Sequence, residues 1–175
     1  GIGDKNARGI LIYVHNSLHA NQLDLLDFKE NLTICIHFKN HSINICTIYR
    51  SPNSDFYNDI KLHTLIDKVS NLDGQKLFIG DFNYPNINWE TWTVVDMSVS
   101  ARSFIDCLRS NFLYQHVLAP TRKRGIQDPH ILDLVITTDS IIEEIQYCSP
   151  IGSSDHSVLK ILCKWAYSQH LENEP

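Results

Sequence analysis

Short apolar runs separated by polar residues recur along the chain and predict a domain rich in β-sheet. Residues 9–14 are apolar throughout, which is typical of a strand buried on both faces. Apolar residues alternate along 33–38, and residues 43–49 return after a polar turn, so these two runs predict a hairpin. Four later runs also predict strands, at residues 76–80, 131–137, 141–147 and 157–165.

Two segments of the chain change to helical spacing. The first follows Ser54 or Asp55 as its N-cap and stops at Gly74, and its buried stripe comprises Leu62, Leu65, Ile66 and Val69. The second follows Ser98 or Ser100, and its buried stripe comprises Ala101, Phe104, Ile105 and Leu108. Neighbouring strand pairs with helices between them indicate a layered α/β fold with mixed or antiparallel sheets, rather than a doubly wound parallel sheet.

The composition is that of a folded protein. Of the 175 residues, 43% are hydrophobic and 20% are charged, and this length suits one domain. The net charge of −5 gives no overall basic field, so a polyanionic partner would have to meet a local basic patch or a metal ion. The five cysteines never occur in Cys-x-x-Cys spacing, which argues against a zinc site and a disulfide framework. No apolar run approaches the roughly 18 residues of a membrane span, so no membrane partner is expected.

The first candidate for chemistry lies at the end of the apolar run at 76–80. Asp81 and Asn83 follow Gly80, and because side chains alternate along an extended chain they point the same way, while Phe82 points into the core. A carboxylate and a carboxamide side by side can hold a water molecule or a phosphate oxygen. The structural alternative is that both residues simply cap a loop, since Asp and Asn are common turn residues.

A second candidate is the pair formed by Asp133 and His156. Asp133 interrupts the apolar residues 131–136, where a buried carboxylate is costly unless a charged or donating group meets it. His156 is a suitable partner, because a buried carboxylate can orient an imidazole and hold it protonated. The alternative is that Asp133 caps a turn and His156 belongs to a surface loop. Tyr49, at a strand end, and Asp155 complete the set of polar residues in apolar surroundings.

These residues stand in four short motifs whose order is informative. Tyr-Arg-Ser-Pro-Asn at 49–53 is followed by Gly-Asp-Phe-Asn at 80–83, Leu-Asp-Leu at 132–134 and Ser-Asp-His at 154–156. This order resembles the endonuclease/exonuclease/phosphatase superfamily, over about residues 9–165. It is most similar to the endonuclease domain of non-LTR retrotransposons. Residues 120–122, Pro-Thr-Arg, strengthen that particular likeness.

The resemblance implies a four-layered α/β sandwich with mixed sheets and a site at the mouth between two sheets. The domain would occupy residues 1–167, with a polar tail at 168–175. The family's sheet begins upstream, with one strand bearing an Asn and another bearing the main metal-binding Glu. Neither is found in this chain, whose only methionine is Met97. We therefore expect a piece of a longer protein that lacks the N-terminal strands, and weak or no activity from the piece alone.

The resemblance also implies a role for each matching residue. Asp81 would orient or deprotonate the attacking water, and Asn83 would donate a hydrogen bond to the scissile phosphate. His156, held by Asp133, would contact a non-bridging phosphate oxygen. Tyr49 would donate to the phosphate, and Asp155 would assist the metal or the leaving group. The expected metal is Mg²⁺ or Mn²⁺, given hard oxygen ligands and no cluster of Cys and His.

DNA is the partner that the resemblance implies, with a reverse transcriptase domain in the parent protein and an intracellular, nuclear location. The candidates for DNA contact are Arg50, Thr121, Arg122 and Arg124, although three basic residues at 122–124 are also typical of a solvated loop. Two alternatives stay open. The same residues serve phosphatases and lipid phosphodiesterases, and a domesticated copy could be a non-catalytic module that binds nucleic acid or protein.

Overall fold

The computed structural model describes residues 9–25, 27–123, 125 and 128–164. They form two helices, α1 (Phe56–Ser70) and α2 (Val99–Ser110). The strands are β1 (His19–Leu23), β2 (Asn31–His37), β3 (Ser42–Tyr49), β4 (Gln75–Asp81), β5 (Ile87–Asn88), β6 (Thr93–Val94), β7 (Tyr114–Gln115), β8 (Asp133–Thr137), β9 (Ile142–Cys148) and β10 (Val158–Cys163). Neither helix has the length and apolar character needed to cross a membrane.

A mixed six-stranded sheet forms the centre of the fold, in the order β1-β2-β3-β4-β8-β7. The pairing of β3 with β4 is parallel and the other pairings are antiparallel. The parallel pair is joined by α1, because a parallel connection needs a crossover long enough to hold a helix. The predicted hairpin is confirmed as β2–β3, with Ile36 opposite Ile43.

The helices cover one face of this sheet. The predicted buried stripes of both helices are confirmed, and they pack on Cys46, Ile48 and Phe78 of the sheet. Asp55 caps α1 by accepting from the Asn58 backbone N–H at 2.8 Å. Ser98 caps α2 by accepting from the Ala101 N–H. α1 ends at Ser70 with Asn71 as its C-cap, so the helix stops before Gly74.

The opposite face of the sheet packs on a smaller sheet formed by β9 and β10. Ile43, Leu77 and Val135 of the large sheet meet Ile145 and Ile161 of the small one. The described residues therefore supply three layers in the order helices, large sheet, small sheet. This arrangement confirms the predicted α/β sandwich with mixed sheets.

The prediction at 9–14 of a strand buried on both faces is wrong in its burial and in its hydrogen bonding. Leu11 and Tyr13 are 71% and 89% exposed. Ile10, Ile12 and Val14 are half-buried, and the last two pack on the core between the sheets, but these residues form no strand pairing within the described part of the chain. The first strand is instead β1, a mostly polar segment at the edge of the large sheet. An apolar run predicts burial, whereas a strand also requires a partner for its backbone.

Candidate active site

Three predicted site residues form one row across the large sheet. Tyr49 at the end of β3 is the parallel register partner of Asp81, and Asp81 is the antiparallel register partner of Asp133 at the start of β8. Directly paired residues project from the same face of a sheet, so the row places a phenol and two carboxylates side by side. All three residues are half-buried.

Gly80 makes this row possible. Its backbone has φ +134°, and a Cβ at this position would lie 1.9 Å from the carbonyl oxygen of Ile48 on β3. No other residue type fits such a close approach of two backbones. The glycine therefore brings Asp81 into the row by allowing the last pair of residues in β3 and β4 to stay in register.

His156 joins the row from the loop that precedes β10. Its Nδ1 lies 2.8 Å from Asp133 Oδ2, as the sequence predicted, and both side chains are largely shielded from solvent. One ligand atom from each of Asp81, Asp133 and His156 lies within 4.8 Å of the others. Because a carboxylate accepts from Nδ1–H, the Nε2 atom is the one available to a substrate.

The surroundings of Asp81 change the pKa of its carboxyl group. Burial, together with the neighbouring Asp133 carboxylate, raises the pKa of Asp81 to about 6, while His156 and the Asn83 amides partly oppose the shift. The Asn83 backbone N–H donates to Asp81 Oδ1 at 3.2 Å. Asp81 thus combines a fixed orientation with a pKa close to neutrality, which is the combination that a general base requires.

Residues 121–123 tie His156 to Asp133. The Thr121 hydroxyl accepts from two successive backbone N–H groups, those of Leu132 and Asp133, at 3.1 and 3.0 Å. The Thr121 carbonyl accepts from Ser157 N–H at 2.7 Å, and Lys123 N–H donates to the Asp155 carbonyl at 3.1 Å. These bonds fix the start of β8 and both neighbours of His156. Thr121 is fully buried, so its predicted contact with DNA is wrong.

Arg122 is paired with Asp155 at the edge of the cluster. Its Nε donates to Asp155 Oδ2 at 3.0 Å, and each side chain is about one-third exposed. This hydrogen bond holds the pKa of Asp155 below its usual range. The other oxygen of Asp155 lies 4.0 Å from His156 Nε2. Arg122 therefore keeps Asp155 charged beside the histidine.

Arg50 does not face solvent, so its predicted contact with the DNA backbone is wrong. Its side chain is 5% exposed and forms a two-pronged ion pair with Asp59 of α1, at 2.7 and 3.0 Å. Asn83 lies next to it, and its side-chain amide donates to the Arg50 carbonyl at 2.8 Å. Arg124 lies outside the described residues.

An open cleft of about 550 Å³ adjoins the cluster. Asn83 and Arg122 line it on the side of the cluster, and its other walls are formed by Pro52, Pro85, Asp128, His130 and Leu132. The cleft gives an extended ligand access to the predicted phosphate donor and to the exposed part of Arg122.

The segment of the chain that contains the site motifs matches the model of a known family. A family model described as endonuclease-reverse transcriptase matches residues 43–160, which is well over half of the chain and spans β3 to the middle of β10. The chain belongs to the endonuclease-reverse transcriptase family. Its predicted membership of the endonuclease/exonuclease/phosphatase superfamily, with a retrotransposon-like character, is thereby confirmed. A search of curated proteins found no match.

Solved structures of this superfamily share the fold of the chain. The endonuclease domain of TRAS1, a telomere-specific non-LTR retrotransposon, has a TM-score of 0.66 at 15% identity, over 86% of this chain and 70% of that one. The 3′ phosphatase NExo from Neisseria, bound to a product DNA hairpin, has a TM-score of 0.56 at 14% identity, over 87% and 72% of the two chains. The catalytic domain of Xenopus laevis APE2 gives 0.54 at 13% identity, over 75% and 55%.

Membership of this superfamily implies a divalent cation, and the residues present fit one. Two carboxylates and an imidazole each offer one ligand atom, and these three atoms lie within 4.8 Å of one another. Burial and the neighbouring Asp133 carboxylate raise the pKa of Asp81, and a bound cation would favour its charged form. Carboxylate oxygens are the ligands preferred by Mg²⁺ and Mn²⁺. Asp155, which the sequence singled out as a ligand, lies beside this cluster and is bound by Arg122.

Two residues that support the site through Arg50 were not identified as site residues from the sequence. Asp59 and Ser100 bind Arg50. Asp59 was not predicted, and Ser100 was predicted only as a possible cap of α2. A signal for Asp59 did exist, because it falls three residues before Leu62 on the apolar stripe of α1, where a charged side chain requires a partner. Tyr49 and Asn83 lie where the motifs predicted, and their roles toward a phosphate belong to the proposal below.

Proposed function

We propose that this chain is the catalytic part of a divalent-metal-dependent endonuclease that nicks DNA. The observation that carries this proposal is the convergence of Asp81, Asp133 and His156, which come from separate segments of the sequence, beside an open cleft. Membership of the endonuclease-reverse transcriptase family supports a nucleic-acid substrate and a reverse transcriptase domain in the parent protein. The expected place of action is the nucleus, where chromosomal DNA is available.

The residues have complementary tasks in hydrolysis of a phosphodiester. Asp81 accepts a proton from the attacking water as the new P–O bond forms and the P–O bond to the leaving group breaks. His156 donates from Nε2 to a non-bridging oxygen, whose negative charge grows in the transition state, while Asp133 fixes the imidazole through Nδ1. Asn83 and Tyr49 donate to the same phosphate. A bound Mg²⁺ or Mn²⁺, held with the help of Asp155, would supply further charge stabilisation. The leaving oxygen takes its proton from solvent water, because Asp155 is itself deprotonated.

The test is nicking of a supercoiled plasmid in the presence of Mg²⁺, with and without a chelator. We expect His156→Ala to lower the rate about 10²–10³-fold, as loss of one preorganised donor does. His37→Ala is the matched control, because His37 is an exposed strand residue whose ring is hydrogen-bonded to Asn21, at the far edge of the sheet. Its rate should equal that of the unmodified chain.

The assay should be run on the chain itself and on any longer form of the protein that its gene encodes. Absence of metal-dependent nicking from every form tested would contradict the proposal. A panel of supercoiled plasmid, abasic duplex and sphingomyelin tests the substrate class. Turnover of sphingomyelin alone would identify a lipid phosphodiesterase, and tight DNA binding without turnover would identify a non-catalytic module.

A further inference from the structure

A buried ion pair lies beneath the proposed site and has no part in the chemistry described above. Arg50 directly follows β3, and Asp59 lies in the first turn of α1. Their side chains are 5% and 4% exposed. The two hydrogen bonds of the pair, together with those from neighbouring hydroxyl groups, hold the pKa of Asp59 below its usual value although burial opposes this.

A gain in stability does not explain why this buried ion pair is present. Removing two charges from water costs several kcal/mol per ion, and well-packed apolar side chains of similar volume often stabilise a protein equally well or better. A buried ion pair does, however, fix the orientation of the groups around it, because its hydrogen bonds are directional. The groups that Arg50 contacts therefore indicate which part of the structure the ion pair orients.

Arg50 contacts the turn after β4 through three different groups. Its backbone N–H donates to the Asp81 carbonyl at 2.8 Å. Its own carbonyl accepts from the Asn83 side-chain amide at 2.8 Å, and its Nη1 donates to the Asn83 carbonyl at 3.0 Å. Asn83 has φ +49°, which is uncommon for a residue with a side chain and requires support from its surroundings.

The same guanidinium is anchored on the helix layer. Its Nη2 donates to Ser100 of α2 at 3.2 Å, and its plane lies 4.0 Å from the ring centroid of Tyr84. Tyr84 in turn stacks on Phe104 of α2, with ring centroids 4.4 Å apart. Only the planar fork of an arginine can serve Asp59, Ser100 and Asn83 at once, and a lysine offers one ammonium group in its place.

We propose that Arg50, held by Asp59, is a positioning residue that keeps Asn83 and Asp81 in their working orientation. Because the Asn83 N–H also binds Asp81 Oδ1, a change in this turn would move both groups together. This inference rests on the proposed function, since it assigns a role within the same site. The inference makes a specific prediction about the kinetic constants. Loss of Arg50 lowers kcat while leaving KM unchanged, because a buried guanidinium makes no contact with DNA.

The experiment compares Arg50→Lys, the double variant Arg50→Met/Asp59→Leu and a matched control, Lys68→Met/Asp27→Leu. The control pair also joins α1 to another segment by an ion pair of 2.8 Å, but its side chains are more accessible than those of Arg50 and Asp59, at 52% and 26% exposed. We expect both Arg50 variants to remain folded, with kcat for plasmid nicking reduced about 10²-fold, as a misplacement of about 1 Å can cause. The control should stay within about twofold of the unmodified chain, as exposed ion pairs contribute little.

A second readout makes the test independent of nuclease activity. The NMR resonance of the Asn83 side-chain amide reports its bond to the Arg50 carbonyl, and it should shift in the Arg50 variants but not in the control. Folded Arg50 variants with unchanged kcat and an unchanged Asn83 resonance would overturn the inference. So would a rise in KM alone, which would indicate DNA contact, or unfolding of both Arg50 variants, which would make the pair essential to the fold. If no form of the unmodified protein nicks the plasmid, the proposed function fails and the Asn83 resonance alone decides this inference.

Discussion

Asp81 and Asp133 lie directly opposite each other on antiparallel strands, and their carboxylates share one face of the sheet. Burial, which disfavours the charged form, and the repulsion from the Asp133 carboxylate together raise the pKa of Asp81 to about 6. In the proposed reaction the repulsion has a use, because it makes Asp81 a stronger base than an exposed carboxylate.

The first prediction concerns this titration. In the metal-free chain, Asp81 should titrate near pH 6, and Asp133→Asn should lower its pKa because the neighbouring negative charge is removed. The carboxyl ¹³C chemical shift of Asp81, followed from acid to alkaline pH, measures this. Glu90→Gln, which removes an exposed acid elsewhere, should leave the titration unchanged. An Asp81 that titrates at its ordinary value of 3.8 in the unmodified chain would contradict the assignment.

The same shift predicts how stability changes with pH. A carboxyl whose folded pKa is raised disfavours the folded state at pH values above about 6, and this cost disappears as the pH falls below the unfolded value of 3.8. The difference corresponds to about 3 kcal/mol. Asp81→Asn should therefore stabilise the metal-free chain at about pH 8 but not at about pH 3.5, as urea unfolding at the two pH values would measure. An equal effect at both values would mean that the charge is not the cause.

Thr121 gives a prediction about the support of the site. Thr121→Val keeps the shape of the side chain but leaves the backbone N–H groups of Leu132 and Asp133 without their shared acceptor. Each unsatisfied buried group costs about 1–3 kcal/mol, so the free energy of unfolding should fall by about 2 kcal/mol or more. Thr121→Ser retains the hydroxyl and should cost about 1 kcal/mol, the value of a buried methyl group. If the two variants lose stability equally, the hydroxyl is not the supporting group.

The sequence predicted the helices and paired strands well, because their burial patterns have clear periods. The stripes of α1 and α2 repeat at helical spacing, and β2 and β3 alternate as a hairpin does. The polar edge strand β1 was missed because its residues are exposed on average and its structure depends on pairing with β2. Residues 9–14 were assigned to a strand because an apolar run was taken to mean burial on both faces, whereas Leu11 and Tyr13 are exposed and the segment has no strand pairing among the described residues.

The site was predicted only in part, and the reason is physical. Motif order and one buried carboxylate were enough to pair Asp133 with His156. The chain alone could not show that Arg50 and Thr121 are buried, because both stand beside catalytic motifs and carry polar groups that would equally suit a DNA contact. Burial of a polar side chain depends on partners distant in sequence, such as Asp59 for Arg50.

The basic residues at 122–124 give a prediction about DNA binding. Arg122→Ala together with Arg124→Ala should weaken binding and flatten its dependence on salt, by about one unit of slope for each phosphate that is no longer neutralised. Binding measured between about 50 and 200 mM salt checks this, with Arg102→Ala on the exposed face of α2 as the control. An unchanged slope would rule out both arginines as phosphate ligands.

The last prediction tests the close approach of strands that brings the row of site residues together. Gly80→Ala would place a methyl group 1.9 Å from the Ile48 carbonyl oxygen, in a backbone conformation with φ +134°. β3 and β4 would have to separate at the point where Tyr49 and Asp81 pair, so we expect a loss of more than about 3 kcal/mol in the free energy of unfolding. The variant Gly152→Ala separates the effect of the close contact with β3 from the effect of the positive φ. Gly152 also has a positive φ, of +62°, but it has open space around it. Gly152→Ala should lower the free energy of unfolding by only about 1–2 kcal/mol, the cost of the left-handed conformation. Equal losses in the two variants would show that backbone conformation, and not contact with β3, is the reason for a glycine next to Asp81.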